Sequence, residues 1–174
     1  MVEEPKSDGK SDAIPNVEFE DDRFDADFSN DRQNNYSCIE RMLLNLALNH
    51  AVMMERPSSD DQKVGLLENQ ANALTDIDYL KNNTLKYNAS SPDELALVNG
   101  ARYLGVIYQG RDELNESVFK VSFKGQVRSY ELLCAIEFSS ARKRMTSVFR
   151  ETSTGRIIVM CKGADSVLIP LLRN

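Results

Sequence analysis

The sequence has no tryptophan, one histidine, three cysteines and five prolines among 174 residues. Each scarcity closes a route. A lone His50 cannot complete a zinc site with a second histidine or a cysteine pair, and no Ser/His/Asp or Cys/His pattern surrounds it. Cys38, Cys134 and Cys161 are an odd set without metal-ligand spacing, which argues against a disulfide framework and for a reducing, cytosolic setting. The longest apolar stretches, Met42 to Leu48 and Ile157 to Cys161, fall far short of the ~20 residues that span a bilayer. The start, Met-Val-Glu-Glu-Pro-Lys-Ser-Asp, lacks the basic and apolar parts of a secretory signal. There is no Walker-type glycine-rich loop and no paired-carboxylate pattern, so hydrolysis by this chain alone is not expected. What is present is a globular balance, 41% hydrophobic and 28% charged, at a length that suits one domain with a sizeable core.

Charge is unevenly spread. Residues 1–35 carry 11 acidic and 4 basic side chains, a net of −7, and the rest carries 17 basic against 16 acidic, so the formal −6 of the chain belongs to its first fifth. Glu18 to Asp31 sets Phe19, Phe24 and Phe28 among carboxylates. Self-repulsion and sparse apolar area make disorder its default; the alternative is an acidic-aromatic docking segment anchored by the three Phe on a partner or on the domain's own surface. This divides the chain into an acidic arm, 1–35, and a domain, 36–174, with an insertion at about 56–83. Within that insertion Gly65 to Leu80 has a roughly helical spacing of Leu66, Leu67, Ala71, Leu74 and Ile77.

The clearest helix is expected over Tyr36 to Met54, with Ser37 and Glu40 as a capping box and an apolar stripe through Ile39, Met42, Leu43, Leu46, Ala47 and His50. On that stripe His50 reads as a packed, hydrogen-bonded residue. A second helix should run from Pro92 to about Leu104: Ser91 is the N-cap, Pro92 sits where a missing N–H costs nothing, Asp93 and Glu94 suit the positive dipole end, and Gly105 stops it. Strands follow at Val106–Gly110, Val118–Phe123, Val127–Phe138, Met145–Glu151 and Arg156–Cys161, with one more at Tyr87–Ala89. Lys124-Gly125-Gln126 and Thr152-Ser153-Thr154-Gly155 are turn signals that imply antiparallel hairpins. A last short helix is limited by Pro170. The class is α+β, a mostly antiparallel sheet flanked by helices.

Three segments could carry chemistry. In Glu137-Phe138-Ser139-Ser140-Ala141-Arg142-Lys143-Arg144-Met145, Phe138 could stack on a base while Arg142 or Lys143 reaches phosphates; equally, the run could be a solvated turn with Phe138 in the core. In Lys162-Gly163-Ala164, a lysine at a strand end precedes a glycine that permits close approach to the backbone, although Lys-Gly pairs are common in turns. Asp93 and Glu94 have a sufficient role as helix-start carboxylates.

Taken together, Ser90-Ser91-Pro92-Asp93-Glu94, the Glu137-to-Met145 run and Cys161-Lys162-Gly163-Ala164-Asp165 resemble in order and spacing the nucleotide-binding domain of P-type ATPases. More narrowly they resemble the type IV branch, the phospholipid-transporting ATPases or flippases, over roughly Tyr36 to Asn174. The resemblance implies that Phe138 stacks on adenine, that Lys162 lies deep in the adenine pocket with Gly163 beside it, and that Glu94 accepts from the adenine amino group. Lys143 matches the basic residue nearer the phosphates. Asp93 and Ser139 lie at matching positions, and Arg142 is a phosphate partner or a structural charge. The acidic arm has no counterpart in this match.

The family's phosphorylated aspartate, in Asp-Lys-Thr-Gly-Thr, is absent, as are its dephosphorylation loop, metal-binding acidic motifs and transmembrane helices. The resemblance therefore implies the cytosolic domain of an integral membrane protein. Its partners are ATP and the phosphorylation and actuator domains of the same polypeptide, with room for an accessory subunit in the full-length protein. Mg2+ would arrive with the nucleotide rather than at a protein metal site, and neither nucleic-acid binding nor direct membrane insertion is implied. The domain should bind ATP without hydrolysing it and contains no catalytic residue. The competing class is a non-enzymatic α+β interaction module with an acidic docking arm.

Overall fold

The computed structural model describes residues 19–55 and 86–172. The insertion expected at about 56–83, with its helical spacing at Gly65 to Leu80, lies outside the described residues, as does most of the acidic arm.

A five-stranded antiparallel meander forms the body, in the order β3 (Val106–Arg111), β4 (Val118–Phe123), β5 (Gln126–Ile136), β6 (Arg144–Glu151), β7 (Ile157–Gly163). A two-stranded sheet pairs β1 (Met53–Glu55) with β2 (Lys86–Asn88). The helices are α1 (Asp22–Ser29), α2 (Tyr36–Leu48), α3 (Pro92–Tyr103) and α4 (Asp165–Leu168), the last running into a 3-10 turn at Ile169–Leu171 that contains Pro170. The expected α+β class is what the chain adopts.

Alternation in the strands builds the core. Val106 and Tyr108 on β3, Phe119 and Val121 on β4, Tyr130 on β5 and Phe149 on β6 point to one face and are buried. Leu43, Ala47 and Leu48 of α2 and Val98 and Ala101 of α3 close over that face. Lys124 and Gly125 make the two-residue loop between β4 and β5, both with positive φ, the backbone that such a hairpin requires.

Three expectations are corrected. α2 ends at Leu48 rather than Met54, because the chain turns at Asn49 and His50 so that Met53–Glu55 can pair as β1. Its N-cap is Asn35, without a side-chain cap; Glu40, expected to fold back in a capping box, instead pairs with Arg128 on β5. The apolar stripe is displaced accordingly: Met42 is exposed and Leu44 is buried.

The segment for which disorder was the default contains α1. Asp21 caps it, accepting from the N–H groups of Arg23 and Phe24 at 2.9 and 3.1 Å. The phenylalanines supply the area thought to be missing by stacking on one another and on the domain: Phe24 meets Phe28, and Phe28 meets Tyr36 and Phe123. The Lys124 ammonium lies 5.0 Å from the Phe28 ring and 4.6 Å from that of Tyr36, and donates to the Phe28 carbonyl at 3.1 Å.

Candidate functional site

The site is built at one end of the sheet, where β7 finishes and α3 begins. Ser91 caps α3, its hydroxyl accepting from the Glu94 N–H at 3.4 Å, and Pro92 occupies the first turn. Glu94 thus sits at the third helical position, where a carboxylate often bends back to the cap. Here it reaches outward. Oε1 accepts from Lys162 Nζ at 2.9 Å and Oε2 from the Ala51 N–H at 3.2 Å.

Lys162 is the penultimate residue of β7, opposite Met145 of β6 and on the same face as buried Met160. The face covered by the helices therefore ends in an ammonium, and both members of the ion pair are largely screened. Burial raises the Glu94 pKa, but the Lys162 hydrogen bond, the Ala51 N–H and the Lys162 charge outweigh it and hold the carboxyl below its usual range.

His50 lies beside the pair. Its Nε2–H donates to the Ala47 carbonyl at 2.9 Å and its Nδ1 accepts from the Val52 N–H at 3.0 Å, which only the neutral ring can do. Burial pushes its pKa down to about 4; the Ala47 carbonyl opposes this and the Lys162 charge reinforces it. The reading of His50 as packed and hydrogen-bonded agrees with this geometry.

The loop from β5 to β6 brings the second segment to the same end. The Lys143 N–H donates to the Ser139 carbonyl at 2.7 Å, and the Arg142 N–H to the Ser139 hydroxyl at 3.3 Å. The Arg142 guanidinium reaches the Glu137 carbonyl at 3.3 Å and the Thr146 hydroxyl at 3.4 Å, so it staples its own loop. Phe138 is 61% exposed, which removes the reading that buries it in the core.

Strand register then joins this loop to Lys162. Arg144 pairs with Gly163, and the Ala164 N–H donates to the Lys143 carbonyl at 3.0 Å. The contact works only because residue 163 is glycine: a Cβ there would meet the Lys143 carbonyl oxygen and stand 2.7 Å from Arg144 Cα. Lys143 itself holds a left-handed φ of 50°.

Of the eight expected site residues, Glu94 and Lys162 are in direct contact, and Gly163, Lys143, Arg142 and Ser139 are linked by backbone and loop bonds. Phe138 and Asp93 are exposed at the same end. Sequence reasoning missed the Ala51 N–H and a polar ladder beneath it. Asn45 donates to the Cys161 carbonyl at 2.9 Å, Asn49 donates to Asn45, and the Ser147 hydroxyl donates to Asn49 at 2.8 Å, fastening α2 to β6 and β7. Two asparagines four apart on an apolar helix face were the available signal.

Fold and site together define an α+β domain whose sheet end offers a shielded lysine–carboxylate pair beside an exposed aromatic ring. The family model for the P-type ATPase cytoplasmic domain N matches residues 62–171. The chain belongs to that family. It is 35% identical over 162 residues to a phospholipid-transporting ATPase of Schizosaccharomyces pombe, covering 90% of this chain and 11% of that protein. It is 44% identical over 84 residues to phospholipid-transporting ATPase IC of Xenopus tropicalis, covering 48% and 6%, and 40% identical over 87 residues to phospholipid-transporting ATPase 2 of Arabidopsis thaliana, covering 50% and 8%. The chain thus spans about a tenth or less of the length of these relatives. Among the described residues no helix is long and apolar enough to cross a membrane.

Proposed function

We propose that this chain is the ATP-binding domain of a phospholipid-translocating P-type ATPase, holding ATP so that its γ-phosphate reaches an aspartate on a separate phosphorylation domain. The observation that carries the reading is the Lys162–Glu94 pair, joined at 2.9 Å and largely screened, at the sheet end that also exposes Phe138. A ring with a free face suits stacking on adenine, a fixed carboxylate suits its amino group, and exposed Lys143 beside the loop suits the phosphates. Mg2+ would be carried by the triphosphate, and the phosphoryl transfer that drives lipid movement would require the aspartate and the actuator domain elsewhere in the polypeptide. Glu94 and Lys162 act by binding and orienting the base, and neither moves a proton.

One stack contributes ~1–3 kcal/mol and a few hydrogen bonds in a half-open pocket ~1–3 more, which places the dissociation constant near the millimolar range. Titration of the chain with ATP, followed by amide NMR, should shift signals near Phe138, Glu94 and Lys162, with little dependence on magnesium. No shift in that region at about ten millimolar ATP, well above the expected constant, sinks the proposal. The interaction-module alternative gains nothing from α1, whose Phe24 and Phe28 are spent on the chain's own surface.

A further inference from the structure

Glu94 is held from two sides, by a side chain on Oε1 and by a backbone N–H on Oε2. Ala51, the backbone donor, lies between α2 and β1, outside any helix or strand, where no ladder directs its N–H. The direction comes from its neighbour. The imidazole of His50 bridges the Ala47 carbonyl at 2.9 Å and the Val52 N–H at 3.0 Å, so it clamps the chain on both sides of the His50–Ala51 peptide. Its bond to the second residue onward has the form of an Asx turn, built with a ring nitrogen in place of an amide oxygen. The ring is 4% exposed and stands edge-on to Tyr108 with centroids 4.6 Å apart, which restricts its rotation.

We infer that His50 is a positioning residue for base recognition: its imidazole aims the Ala51 N–H at Glu94 Oε2 and so fixes the plane in which the carboxylate meets a purine. The inference rests on the ATP-binding reading. A carboxylate offers only acceptors, so it favours a 6-amino purine and disfavours a 6-oxo purine, whose carbonyl would leave two acceptors facing each other. Held by the flexible Lys162 alone, the carboxylate could turn, and the distinction between the two bases would fade.

The test compares ATP with inosine triphosphate, which carries a carbonyl where ATP carries the amine, by amide NMR titration of the full chain. The unmutated chain should prefer ATP. His50→Asn, whose side-chain oxygen can accept from the Val52 N–H, should keep that preference. His50→Leu should lower ATP affinity about fivefold and leave inosine triphosphate affinity unchanged, which is the scale of one directed hydrogen bond. Should His50→Leu fail to fold, His50→Gln keeps a donor for the Ala47 carbonyl, sets its amide oxygen one bond further from the backbone than Nδ1 and so loosens the bond to Val52, and serves the same comparison. Equal losses for both nucleotides, or an undiminished preference for ATP, overturn the positioning role alone. Absence of binding of either nucleotide to the unmutated chain overturns the ATP-binding reading as well.

Discussion

Lys162 donates to Glu94 at 2.9 Å across 68 positions of sequence, with 16% and 18% of the two side chains exposed. The pair joins the end of β7 to the first turn of α3 through charge. A pair this screened escapes much of the solvent damping that makes surface ion pairs nearly worthless, yet each partner left alone would be a poorly solvated charge.

Removing one partner should therefore cost more than removing both. Lys162→Met and Glu94→Gln are each expected to destabilise the chain by ~1–2 kcal/mol, and the double variant by less than their sum. Urea unfolding of the four proteins measures the coupling; strict additivity would show that the contact carries no energy.

Phe138→Ala should leave the fold untouched, because a ring 61% exposed contributes little to the core. Loss of a base stack worth ~1–3 kcal/mol should weaken ATP binding at least about fivefold. The melting temperature and the titration must be read together: an unfolded variant contradicts the exposed placement, and an unchanged affinity contradicts stacking.

Gly163→Ala should be disproportionately harmful for one methyl group. The added carbon would press on the Lys143 carbonyl and the Arg144 Cα, backbone atoms that cannot swing aside. Overpacking of this kind costs ~1–3 kcal/mol, a drop in melting temperature of about 3–10 °C for a chain of this size. Calorimetry that finds no change would mean that β6 and β7 can separate freely at this end.

Acid should weaken the fold through His50. Its pKa lies at about 4 in the fold against 6.5 ordinarily, chiefly because of burial, so the unfolded chain takes up the proton first. Stability is full above about pH 7 and falls as pH drops from 6.5 towards 4, by ~3 kcal/mol in all. Glu94 behaves differently: with its folded value below 4.5, the stability it gains from Lys162 is complete above 4.5 and is lost only as pH falls through that lower value. Urea midpoints across this range should slope in the unmutated chain and flatten in His50→Asn; equal slopes would refute the assignment.

Patterns confined to a short stretch of chain were the legible ones. Ser91-Pro92 announced the start of α3, and the strand Val118–Phe123 was bounded correctly by its own residues and by the Lys124-Gly125 turn. The extent of α2 was not legible, because its end is decided by pairing of Met53–Glu55 with Lys86–Asn88, residues about thirty positions further along the chain. Ser37 and Glu40 read as a local capping box, yet Glu40 has a better partner in Arg128, 88 positions away. For α1, composition counted the charges of Glu18 to Asp31 and could not see Phe123 and Lys124 waiting on a distant hairpin. In the site, residue types pointed to Glu94 and Lys162, whereas the Ala51 N–H is a backbone group that no pattern of side chains can reveal.

The opposition of Glu55 and Lys86 in the β1–β2 ladder has a consequence for engineering. Glu55 and Lys86 face each other across one rung, so the two ends of the chain between them are held a single strand spacing apart, about 5 Å. Closing such a gap costs only logarithmically more as the connection lengthens. The rung is thus a natural port: a foreign domain whose termini lie close together could be spliced there while Glu94, Lys162 and the sheet end they share stay in place.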